Sequence, residues 1–107
     1  MATGKIVPSQ SYFYRQRDNS QTYIIGLESY NSANFRSGLL IQNEKNNPGM
    51  WLIGTDTGTS PSVKAYKIGL TGSSSPADIS SITMTEGTLT ITFNRQVYGG
   101  ITVVWFD

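Results

Sequence analysis

The chain has 107 residues, with eight Lys and Arg against seven Asp and Glu, a net charge of +1 and 14% charged residues. That length suits a single domain over residues 1–107, and so weak a field does not hold nucleic acid or an anionic membrane surface. Cysteine and histidine are both absent, which removes disulfides, thiol nucleophiles, the usual general base and the commonest zinc ligands, so neither metal nor cofactor is expected.

The opening Met1–Gln10 lacks the apolar core of a secretory signal, and no run reaches membrane-spanning length. The expectation is a protein made in the cytoplasm without a signal peptide, which stays there or leaves by a route such as lytic release, with no membrane insertion. Ser, Thr, Ile, Gly and Asn are plentiful and helix formers few, a mixture suited to strands and turns. Ser9–Gln16 and Gln21–Glu28 read as strands around the polar turn Arg17–Ser20. Arg15 and Arg17 beside Tyr12, Phe13 and Tyr14 have the makings of a base-stacking surface, but at this net charge a half-buried strand with a polar tip is the better reading.

The next segment, "ESYNSANFRSG", sets aromatic rings among amides and a guanidinium. A ring of that kind stacks on the apolar face of a sugar while its polar neighbours bond the hydroxyls. Tyr30, Asn31, Asn34, Phe35 and Arg36 are therefore the candidate ligand-binding residues, against the plainer reading of an ordered loop. "SGLLIQN" and "GMWLIGT" follow as strands around "EKNNP", whose Asn-Asn-Pro-Gly run is strong turn chemistry. Trp51 and Trp105 lie among apolar neighbours and are expected in the core.

"IGTDTGTSP" spells the Asp-Thr-Gly-Thr-Ser that surrounds a catalytic aspartate in pepsin-like proteases, and Asp56 would serve in a homodimer as in the small retroviral-type enzymes. Such an enzyme needs two carboxylates sharing a proton. The resemblance stops at five residues: Gly54-Thr55 precedes Asp56 where that family has a buried apolar run, and Pro61-Ser62 continues the polar stretch. A turn between strands is the preferred reading. The remaining acids are scattered, without the close pair of a glycosidase or the spacing of a calcium loop, and no glycine-rich phosphate cradle precedes a helix.

"SVKAYKIGL" alternates imperfectly, and "TGSSSPAD" reads as a loop with one helical turn at Pro76–Asp78. The clearest signal is "ISSITMTEGTLTITFN". A turn at Glu86-Gly87 sets Met84 opposite Leu89 and Ile82 opposite Ile91, with Thr85 against Thr88 and Thr83 against Thr90, so one face is apolar and the other hydroxyl. The last segment, "ITVVWF", is apolar at every position but one and is expected in the middle of a sheet or beneath an interface. About eight short strands separated by turns give an all-β domain, an antiparallel sandwich or jelly-roll-like fold.

The C-terminal stretch "GTLTITFNRQVYGGITVVWFD" resembles the closing strands of small β-domains in bacteriophage tail fibres and baseplates: a Thr-alternating strand, a Val-aromatic-Gly step and an apolar last strand. The resemblance covers about twenty residues. It implies a non-enzymatic virion component that builds the particle and recognises a receptor, with a cell-surface saccharide as ligand. It also implies a homo-oligomer, a trimer before a dimer; the apolar side chains that "ITVVWF" offers to both faces of its sheet place part of the last strand in the interface. A carbohydrate-binding module of a secreted protein is the alternative, and a homodimeric aspartic protease using Asp56 the third.

Overall fold

The computed structural model describes residues 12–26, 35–56, 61–68, 77–85 and 87–106. Eight strands follow in order: β1 (Tyr12–Gln16), β2 (Ser20–Gly26), β3 (Phe35–Gln42), β4 (Gly49–Asp56), β5 (Ser62–Ile68), β6 (Ile79–Thr85), β7 (Thr88–Val97) and β8 (Ile101–Phe106). They form two antiparallel sheets packed as a sandwich, β1-β8-β3-β4-β5 and β2-β7-β6. No helix occurs among the described residues. Ala77 and Asp78 are not helical, which corrects the expected turn at Pro76–Asp78 for the part that falls within the described residues. Ala77 is buried in the core instead, and the Asp78 carbonyl accepts a hydrogen bond from the Asn94 N–H at 2.8 Å.

The β6–β7 hairpin has the register that its alternation requires. Met84 pairs with Leu89, Ile82 with Ile91, Thr83 with Thr90 and Thr85 with Thr88. Gly87, at φ 73°, supplies the left-handed residue of the turn. Beyond this stretch a register shift between Ile79 and Ser81 inserts one residue into β6. Leu89, Ile91 and Phe93 point inward and are fully buried, while Thr83 and Thr85 face water. Ile91→Ala should cost roughly 2–5 kcal/mol in urea unfolding, the range for truncating a buried aliphatic side chain. Thr90→Ala should cost well under 1 kcal/mol, as a partly exposed surface change does.

β1 and β2 enter different sheets. The polar turn between them therefore carries the chain from one layer to the other and does not close a hairpin. β8 lies between β1 and β3, the central place expected for a strand apolar on both sides. Its Ile101, Val103 and Trp105 are the inward set, and they join Leu40, Trp51 and Ile53 of the same sheet in the core. Phe93 ties the layers together: its ring stands edge-on to Tyr23 within its own sheet (centroids 6.1 Å apart) and to Trp51 across the interface (5.8 Å). Both tryptophans are core residues.

The two outer faces differ in kind. That of the three-stranded sheet carries Thr22, Thr83, Thr85, Thr88, Thr90 and Thr92, with Ile24 the one large apolar side chain among them. That of the five-stranded sheet carries a row linked by register, Val104–Leu39–Leu52–Tyr66, and beside it Ile41–Met50–Ile68.

Candidate functional site at the loop end

Three connections converge at one end of the sandwich: Arg17–Asn19 between β1 and β2, Asn43–Pro48 between β3 and β4, and Tyr98–Gly100 between β7 and β8. Hydrogen bonds lock them to one another. The Asn19 side-chain oxygen accepts from the Gly99 N–H at 2.9 Å, and the Asn43 N–H donates to the Gly100 carbonyl at 3.0 Å. The Asn43 amide also donates to the Thr102 hydroxyl at 3.1 Å. Gly99 and Gly100 take positive φ values of 100° and 79°, so the backbone turns sharply from one sheet into the other.

Beneath these loops lies an ion pair at the edge of the core. Glu44, only 6% exposed, meets Arg95 through both carboxylate oxygens, Nη1–Oε2 at 2.6 Å and Nη2–Oε1 at 2.7 Å. Oε2 also accepts from the Tyr98 N–H at 2.9 Å. Gln42, fully buried, accepts from the Glu44 N–H at 2.6 Å and donates to the Asn47 carbonyl at 2.8 Å. The bond from Arg95 holds the Glu44 carboxyl below the usual carboxylate range, against the opposing effect of burial and with help from the Tyr98 N–H. Arg95 occupies an inward position of β7, where Glu44 and the Gln96 carbonyl meet its guanidinium.

Over this support the Tyr98 side chain stands 58% exposed. It borders a cleft of about 440 Å³ with Asn43, Lys45, Asn46 and Asn47. A second cleft of about 450 Å³, on the other side of Asn43 and Gly99, is lined by Arg15, Arg17 and Thr102. An exposed ring thus sits among amides that both donate and accept, on loops already fixed by their own hydrogen bonds. Loops fixed in advance lower the ordering cost that a ligand held there would carry.

Of the residues anticipated from sequence, Tyr30, Asn31 and Asn34 lie outside the described residues. Phe35 and Arg36 are the first two residues of β3, at the end of the sheet opposite Tyr98. The criterion that selected them, a ring among amides, is met among the described residues by Tyr98. Its partners come from connections more than fifty residues away in the chain, so no local pattern marks them.

Asp56 closes β4 on the outer face, partly exposed, with Ser62 across from it. A shallow groove of about 550 Å³ surrounds it, lined on the outer face by Ser37, Leu52, Gly54, Lys64 and Tyr66. Among the described residues, that lining holds no second carboxylate within one chain to share a proton with Asp56. Among the described residues no group of three or more acidic side chains is placed to hold a metal ion, and no helix is long and apolar enough to cross a membrane. Comparison with family models, with curated proteins and with solved structures finds no match.

Proposed function

We propose that this domain is a non-enzymatic recognition module that holds a cell-surface saccharide against Tyr98 at its loop end, in the manner of the receptor-binding domains of phage tail fibres and baseplates. The observation that carries the reading is the exposed Tyr98 ring set among Asn43, Asn46 and Lys45 on a loop cluster tied down from below. A sugar offers this surface an apolar face for the ring and hydroxyls for the amides. The net charge of +1 favours such a neutral ligand over a polyanion. The virion setting rests on the resemblance of the C-terminal strands, and a carbohydrate-binding module of a secreted protein would draw on the same chemistry.

The test is a glycan array followed by NMR titration of the best ligand. Tyr98→Ala should weaken binding about tenfold, equivalent to about 1.4 kcal/mol. The near-ultraviolet circular dichroism of the buried Trp51 and Trp105 should stay unchanged. An array without retained glycans, or a ligand indifferent to Tyr98→Ala, would sink the saccharide reading. A peptidase activity at acidic pH that disappears in Asp56→Asn would sink the non-enzymatic one.

A further inference from the structure

A sheet that faces water on one side normally alternates apolar-in and polar-out. The three-stranded sheet obeys this, with its hydroxyl-rich outer face, and so shows what a solvated sheet looks like in this chain. The five-stranded sheet does not. On its outer side Leu52 (44% exposed), Tyr66 (64%), Ile68 (40%) and Phe106 (44%) stand open, and register joins them through Val104, Leu39, Ile41 and Met50 into one apolar area. β8 contributes less to it than its sequence suggests. Thr102 is covered within the chain and bonded to Asn43, and of the outward set Phe106 is the most open.

We propose that this face is an interface between copies of the chain. Its size fits that occupant. Five strands about 4.8 Å apart and seven residues at about 3.3 Å each span on the order of 500 Å². Two copies face to face would bury on the order of 1,000 Å², where specific interfaces begin. Charge does not oppose the pairing: the face carries Asp56 and Lys64 as near neighbours at one corner and Arg15 at the far edge, too little of one sign for copies to repel. A sheet face also stacks on its like at the usual sheet-to-sheet spacing of about 10 Å, the packing already used in the core. The face and the loop end carry different residues, so this inference does not rest on the saccharide reading.

Sedimentation of the full chain at concentrations up to a millimolar tests it. A dimer of the 11.7 kDa chain is expected. Leu52→Glu should weaken association at least a hundredfold, and Thr83→Glu on the opposite hydroxyl face should leave the mass unchanged. If Leu52→Glu loses the near-ultraviolet signal of the buried tryptophans, Tyr66→Lys decides, because that side chain is mostly exposed and its replacement keeps the fold. A wild-type monomer throughout this range overturns the proposal, including one that binds phosphatidylcholine vesicles, which would make lipid the occupant. An oligomer that survives both Leu52→Glu and Tyr66→Lys overturns it as well.

Discussion

Gly100→Ala is expected to be the most destabilising single substitution at a turn of this domain. Gly100 sits at φ 79°, where a side chain is strained, and a Cβ there would stand 1.8 Å from the Gln16 carbonyl oxygen and 2.7 Å from the Arg17 Cα. The left-handed backbone alone costs roughly 1–2 kcal/mol. The overlap is with backbone, which no rotamer change relieves, so the end of β1 must move off its pairing with β8. The total should reach on the order of 4 kcal/mol or more, a large part of the 5–15 kcal/mol that holds a domain of this kind together. Gly87 provides the control. Its φ is 73° but a Cβ there meets nothing within 4 Å, so Gly87→Ala should cost only the conformational part, roughly 1–2 kcal/mol. Equal losses for the two variants in urea unfolding would contradict this account.

Glu44→Gln should destabilise the domain by about 3 kcal/mol at neutral pH. Removing one partner of a buried pair leaves the other charge uncompensated, typically at 3–5 kcal/mol. The low end applies here because the Arg95 side chain remains 30% exposed and water screens part of its charge. The same pair gives a pH dependence of definite sign. Arg95 holds the folded-state pKa of Glu44 below its unfolded value of about 4.3. Its contribution is therefore fully present above that value and is lost as pH falls through the folded pKa. The wild type should lose stability on acidification below about pH 4.5, and Glu44→Gln should show a shallower loss over the same window. Parallel pH profiles for the two proteins would show that the pair is not coupled to folding.

The β6–β7 hairpin was legible in the sequence because alternation, turn glycine and register agree there, and a one-residue slip would bury threonines. β5 was harder to read, since Val63 and Ala65 pack inward while Tyr66 and Ile68 lie on the exposed apolar face, so apolar residues occur at both parities. β8 shows the same blur, for a related reason: its outward set meets the side chains of β3 and of the loop end. The layer change between β1 and β2 was not legible, because a polar turn has the same composition whether it closes a hairpin or crosses the sandwich. Nor was the loop-end cluster. Glu44 and Arg95 are 51 residues apart, and each alone reads as an ordinary surface charge. The contact that makes them structural exists only after the sheets have stacked.

The order in which strands pair has a consequence for synthesis on the ribosome. β1 pairs with β8 and β2 with β7, so the first strands made wait for the last third of the chain. At about 5–20 residues per second, β2 is left without its partner for roughly three to fifteen seconds. During that interval the meander β3–β4–β5 can form, since its pairings join strands adjacent in the chain. That meander is apolar on both sides, and the face destined for the core is then as uncovered as the outer one. A growing chain on a crowded polysome thus offers its neighbours two sticky surfaces, where the finished domain keeps one. Chaperone demand should therefore peak midway through translation and fall once Phe93 and Trp105 emerge to close the core.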